Sequence, residues 1–402
     1  VALYPGGPAW SPNGQFIAFA ATGQTENKRR PMNIFVVNIA DKSERQLGGE
    51  SWAEMGRVAW LGDGSGLVLS ARADLAEPRQ LWFVAWPSGV AHKITNDLHD
   101  YDDVSVSADS QTLTVVQSQE SLSIAVAPQA SLVEAREIYT EVGRGDERLA
   151  WTSDGRLLYA SRVSGNWDIW LMNKDGSEQR RLTVDPHNDT MPAVSADGRF
   201  IYFSSDRTGA PHIWRMGIDG GGATQLTSGG DHFFPEVTPD GQWLFYQQGG
   251  LTQNKADVWR VPQTSGTPTL VNEESMAERQ AQRPAISPDG KWLAYVSLDQ
   301  HGWGVLLRSL SSGAVVKRFN FPAIIGPRDF RWMPDSQALA YIVQEKGVTN
   351  LWLQPLNGAP PKPLTTFKTG RFSVFAWTPD GQWLAYLRPS ATSDVVFLRN
   401  FK

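Results

Sequence analysis

"PAISPDGKWLAYVS", residues 284–297, reads as a strand, a tight turn and a second strand. Pro-Asp-Gly makes the turn, because Asp bonds its own backbone and Gly accepts positive φ. "KWLAYVS" then makes the second arm of an ordinary-looking hairpin. The same phrase returns as "PEVTPDGQWLFYQQ" (235–248) and "FAWTPDGQWLAYLR" (375–388). Aligned on the acidic or amide residue of the turn, nine copies fall at Asn13, Asp63, Asp109, Asp154, Asp197, Asp240, Asp289, Asp335 and Asp380. They are spaced 43 to 50 residues apart, which is the length of a propeller blade.

One full repeat, "MPAVSADGRFIYFSSDRTGAPHIWRMGIDGGGATQLT" (191–227), holds four strand patterns separated by turn signals. Four antiparallel strands repeated radially make a blade. The third strand recurs as "NWDIWLMN", "ADVWRVP" and "TNLWLQP", and the fourth as "QRRLT" and "PKPLT". The expected fold is therefore all-β: a single propeller over 1–402 with nine repeats, or eight blades plus an irregular unit. Repeat 3 is the most degenerate, and a weak helical pattern lies around Ala130–Ile138. Repeat 9 ends in "SDVVFLRN" as its third strand, and Val1–Tyr4, "VALY", is expected to supply its fourth and close the ring. A raw sheet edge would otherwise remain.

The 402 residues carry 37 Lys+Arg against 42 Asp+Glu, a net charge of −5, with no electrostatic footprint for nucleic acid. The chain has no cysteine, which excludes disulfides, thiolate metal sites and cysteine nucleophiles and suits an extracytoplasmic location. No apolar run reaches the ~18 residues of a membrane helix. The start at Val1 reads as a mature or excised piece of something longer.

The repeats "SPDGKWLAY" and "NLWLQPLNGAPPKPLTTF" resemble those of TolB-type, or WD40-like (PD40), propellers. More narrowly, "SGNWDIWLMNKDGSEQRRLT" and "SDVVFLRNFK" resemble the C-terminal propellers of bacterial membrane-anchored serine/threonine protein kinases of the acidobacterial type. That resemblance implies a sensory or scaffolding part outside the membrane, while the kinase itself carries the chemistry. This chain has no Gly-rich loop with a strand lysine, no "HRD" and no "DFG", so it is not itself the kinase.

Enzymatic motifs are weak. "GDGSG" (62–66) is the nearest approach to a nucleophile elbow, but its serine is misplaced and it reads as a hairpin turn. The "SPDG" turns are one residue too tight for the Asp box of sialidase-like propellers. Six histidines, His92, His99, His187, His212, His232 and His301, show no metal-ligand spacing. No cofactor is expected; calcium on oxygen-rich loops such as "HDYDD" is the one metal the composition leaves open. Most tryptophans repeat at equivalent positions and read as packing between sheets, whereas Trp52 and Trp303 fall off the repeat and read as contact residues. "TENKRRP" (25–31) reads as a solvated basic loop.

Tight turns join strands one to two and three to four on one face; the longer loops share the other, where binding residues concentrate. Six of the loops from fourth to first strands offer Asp102, Asp103, Asp146, Arg148, His187, Asp189, Asp231, His232, Arg328, Asp329 and Arg371 to the channel mouth. Both charge signs suit a protein, a peptide or a small polar ligand. The expected function is a non-enzymatic binding propeller, the extracytoplasmic or periplasmic sensor or scaffold of a bacterial signalling protein, joined to a membrane only through an anchor outside this sequence. The alternatives are a stand-alone periplasmic TolB-like interaction scaffold and an enzyme with a channel-mouth site that no short motif reveals.

Overall fold

The structure, a computed structural model, describes residues 7–22, 31–74, 77–142, 148–249, 256–264, 266–272, 280–299, 302–320 and 330–401. Its regular structure is β throughout, apart from one 3-10 segment, Gln129–Glu134, broken at Ser131. The helical pattern around Ala130–Ile138 thus yields only a short turn, and Arg136–Val142 is a strand. No helix of the described residues is long and apolar enough to cross a membrane.

The repeats fold into four-stranded antiparallel sheets, as a propeller requires. In repeat 5, Asp189–Val194, Phe200–Ser205, His212–Gly217 and Thr224–Gln225 pair in sequence order. The turns form by side-chain chemistry. Ser195 Oγ donates to Asp197 Oδ1 at 2.6 Å, and the same oxygen accepts the Arg199 N–H at 3.1 Å. The Ser195 hydroxyl, with the Arg199 N–H and guanidinium, pulls the Asp197 carboxyl down to about 2. Thr238 to Asp240 (2.5 Å), Ser287 to Asp289 (2.7 Å) and Thr378 to Asp380 (2.5 Å) repeat the bond. Where "ADS" and "PDS" replace Asp-Gly, Ser110 and Ser336 take the left-handed conformation at φ 57° and 59°.

The recurrent "LT" has a structural cause. Thr183 Oγ1 accepts the Ile169 N–H at 2.9 Å and donates to the fully buried Asp168 at 3.2 Å, locking the outer strand to the third. Thr95, Thr227 and Thr365 accept the equivalent N–H of Leu81, Ile213 and Leu351, and Asn272 Oδ1 that of Val258. Thr183→Val should cost roughly 1–3 kcal/mol, since a methyl leaves a buried N–H and a carboxylate short of partners. Urea titration checks this, with Thr183→Ser expected to recover most of the loss.

Repeats 3 and 9 depart from the expected pattern by sharing strands. Thr112–Pro128 and Trp383–Arg399 are each 17 residues long and are hydrogen-bonded neighbours in one sheet. Ser121 and Ser390 meet midway, Oγ to Oγ at 2.7 Å. By compactness the chain divides at this point: one unit holds Val1–Ser121, Val142–Arg144 and Ser390–Lys402, and the other holds Leu122–Glu141 and Gly145–Pro389.

In the first unit, repeats 1 and 2 are complete sheets. Repeat 3 consists of Asp100–Val106, the first part of Thr112–Pro128, and the last part of Trp383–Arg399, whose Val396 and Leu398 pack with Val104, Leu113 and Val115. Trp60 Nε1 donates to Ala9 O at 3.1 Å, tying repeat 2 to repeat 1.

The second unit is a closed ring of six sheets, repeats 4 to 9. Inner strands contact their neighbours from Ala150–Trp151 through Phe330–Trp332, and Phe375–Trp377 contacts Ala150–Trp151 again. Trp151 Nε1 donates to Ala376 O at 3.0 Å across that closure, as Trp332 Nε1 does to Ala285 O at 3.0 Å. The sheet of repeat 9 is completed by Leu122–Pro128 and Arg136–Val142. Arg388 Nη1 meets Glu137 Oε1 at 3.1 Å, 251 residues apart in sequence.

The expectation that "SDVVFLRN" is the third strand of repeat 9 is therefore corrected. That place belongs to residues from repeat 3, because the long strand continues straight past Ser121. Val1–Tyr4, expected to supply the missing strand, lies outside the described residues. Two tryptophans also depart from their reading. Trp52, expected as a contact residue, is buried at 2% exposure among Met32, Met55 and Trp82. Trp10, expected to pack between sheets, is 59% exposed.

Candidate functional site

In the second unit the inner strands carry a recurrent bulge. Pairing slips between Thr190 and Ala193, Phe233 and Glu236, and Gln282 and Ala285. The residues six before each turn Asp there, Met191, Phe234 and Arg283, take φ of 55°, 53° and 53°. Bulges re-aim side chains, and left-handed non-glycine residues gather where function or packing over-determines them.

Arg148 holds the same repeat position in repeat 4. It is 8% exposed, and its guanidinium reaches past the inner strand of repeat 5 to repeat 6. There Nη1 donates to Pro235 O at 3.1 Å and Nη2 pairs with Glu236. Beside it the Arg283 guanidinium lies 4.7 Å over the Phe234 ring, and the Arg283 N–H donates to Gln247 Oε1 at 3.1 Å. One pair of opposite charges and one cation–π pair thus sit on the inner strand of repeat 6, His232–Val237. A buried ion pair adds little net stability, which makes geometry its stronger consequence.

The other residues singled out in the sequence take varied places. Asp189 is fully buried, and Arg207 Nη2 lies 2.8 Å from each of its oxygens and 2.8 Å from Asp185. Burial raises the Asp189 carboxyl, opposed by Ser205 and Arg207. His187 is exposed, with Nδ1 3.3 Å from Asp185 Oδ1. His232 is 1% exposed; its Nδ1 lies 2.8 Å from Thr227 Oγ1, and its ring packs on His212 and Tyr246. Burial, with the His212 charge adding to it, lowers its pKa to about 4, so the ring is neutral. Asp231 is half-buried, and exposed Arg371 donates through Nε to Gly347 O at 3.2 Å.

Asp102 and Asp103 belong to the first unit. Asp102 pairs with Arg79 at 2.7 Å; burial pushes its carboxyl up and Arg79 opposes the shift. Asp103 is exposed at φ 47°. Asp146, Arg328 and Asp329 lie outside the described residues. The structure therefore brings Arg148 to the strand that begins at His232, while Asp189 and His232 make framework bonds. Sequence reasoning missed Phe234, Glu236 and Arg283; counting back from the turn Asp would have flagged Phe234 and Arg283. Among the described residues, no three His, Asp or Glu side chains are grouped to hold a metal ion.

Residues 149–278, the sheets of repeats 4 to 6, match the model of the TolB beta propeller domain family, PD40. These are TolB-like repeats. An uncharacterized protein of Agrobacterium fabrum is 31% identical over 160 residues, 36% of this chain and 53% of that one. The Tol-Pal system protein TolB of Bordetella pertussis is 36% identical over 140 residues, 35% of this chain and 31% of that one. The chain thus spans about half of the first relative's length and about a third of the second's. The crystal structure of TolB from Acinetobacter baumannii aligns over 94% of this chain and 83% of its own, with 15% identity and a TM-score of 0.45.

Proposed function

We propose that the chain is a non-enzymatic, TolB-like interaction scaffold working outside the cytoplasm, and that a protein partner inserts a segment at the wide-loop end of the six-sheet ring. The observation that carries this reading is Arg148, which crosses to the Phe234–Glu236 segment beside Arg283. Arginine and aromatic side chains in desolvated settings are the usual anchors of protein interfaces. Arg371 and His187, both exposed on the wide loops, would form the polar rim.

The similarity to a Tol-Pal system protein supplies the probe: soluble Pal protein from the same source, measured by surface plasmon resonance. Arg148→Ala should weaken binding by about 2 kcal/mol, roughly thirtyfold. Binding that survives Arg148→Ala and Arg371→Ala unchanged would remove the site from this end of the ring. A wild-type chain that ignores Pal would remove that partner.

A second reading, the sensor part of a serine/threonine kinase, rests on "SGNWDIWLMNKDGSEQRRLT" and "SDVVFLRNFK". A kinase domain and a membrane helix encoded upstream of Val1 would support it, and a signal peptide alone would dismiss it.

A further inference from the structure

The first unit exposes apolar side chains on each outer face. In repeat 1, Ala18, Ala20, Ile34 and Val36 pack toward repeat 2. Ile17, Phe19, Phe35 and Val37 alternate with them and project from the opposite face. Trp10 pairs with Ile17, which pairs with Val37, and the next row sets Phe19 opposite Phe35 with rings 6.0 Å apart. Trp10 occupies the position from which Trp60, Trp151 and Trp332 each bond a carbonyl of the preceding sheet, yet it is 59% exposed. In repeat 3, Val396 and Leu398 pack inward, while Val395 and Phe397 point the other way at 63% and 68% exposure.

Among the described residues, no sheet of this unit precedes the one face and none follows the other. Six sheets of these repeats close a ring in the second unit, and the first unit has three. We propose that a second copy of the chain completes it: repeat 3 of each copy packs on repeat 1 of the other about a twofold axis, giving a six-sheet ring. The twofold uses the same contact twice, as closed symmetric dimers do. Trp10 Nε1 then meets the carbonyl of Ser105 of the partner subunit, because Ser105 lies four residues before its turn residue Asp109, as Ala9, Ala285 and Ala376 lie before Asn13, Asp289 and Asp380. This assignment does not depend on the partner proposed for the second unit.

Sedimentation equilibrium of the 402-residue chain at micromolar concentrations tests it. A mass of twice 44.4 kDa is expected. Phe397→Asp and Trp10→Glu alter opposite faces, and each should weaken the dimer at least about tenfold. Both side chains are exposed within one chain, so the circular dichroism of the resulting monomers should be unchanged, while their thermal transition should fall as the stabilisation by the partner is lost. A monomeric wild-type chain would hand these faces to a different protein and overturn the proposal. A dimer that tolerates both substitutions would overturn it equally.

Discussion

Ile124→Asp is expected to collapse the six-sheet ring, with a loss above about 4 kcal/mol and no cooperative unfolding transition left for that unit at moderate temperature. Ile124 is 2% exposed and belongs to the strand that completes the sheet of repeat 9. It packs with Trp151, Leu157 and Tyr159 of repeat 4 and with Ala385 and Leu387 of repeat 9. A carboxylate there has no buried partner, and the lost side chain leaves a cavity besides. Because this sheet closes the ring, the damage should spread to repeats far from it in sequence. Ile124→Val removes one methylene and should cost only about 0.5–1.5 kcal/mol. Calorimetry with hydrogen exchange distinguishes the two outcomes. If Ile124→Asp melts like the wild type, Leu122–Pro128 is not the closing strand.

Stability should also fall steeply as pH drops from about 6.5 toward 4, and His232 should be responsible for much of the fall. Its folded pKa is lowered to about 4 from 6.5 by burial and by His212. Between these values the unfolded chain binds a proton that the folded chain refuses. The contribution is therefore complete above about 6.5 and is lost on acidification, with a slope of at most about 1.4 kcal/mol per pH unit for one group. His212, Tyr246 and the Thr227 hydroxyl face the ring, and none offers a carboxylate to welcome the charge. His232→Gln can keep the bond to Thr227 without titrating. Urea denaturation from pH 4 to 8 should show a shallower slope for this variant and similar stability near neutrality. Parallel curves for the two proteins would show that His232 is not the group being titrated.

Much of the architecture was legible because it is local. The Asp-Gly turns, the aromatic and β-branched run in "RFIYFSS" and the "LT" endings each act within a few residues, so strings reveal them. The charged loop residues were legible as candidates, but their fates were not. Asp189 and His232 stand eight residues before their turns, at the point where the inner strand enters the sheet, and both are buried there. Arg148 was named from its loop, whereas its partner Glu236, 88 residues away, depends on the curvature of a ring.

The sequence by itself determined that this is an all-β repeat protein, where each turn falls and which strands pair within most repeats. Side-chain period and turn chemistry specify these over short distances. Only the tertiary structure decided that Thr112–Pro128 and Trp383–Arg399 share a sheet, that six repeats form one ring, and that Trp10 and Phe397 face solvent. Strand edges pair through backbone N–H and C=O groups that every residue carries, so side-chain identity does not encode which distant edge a strand will meet.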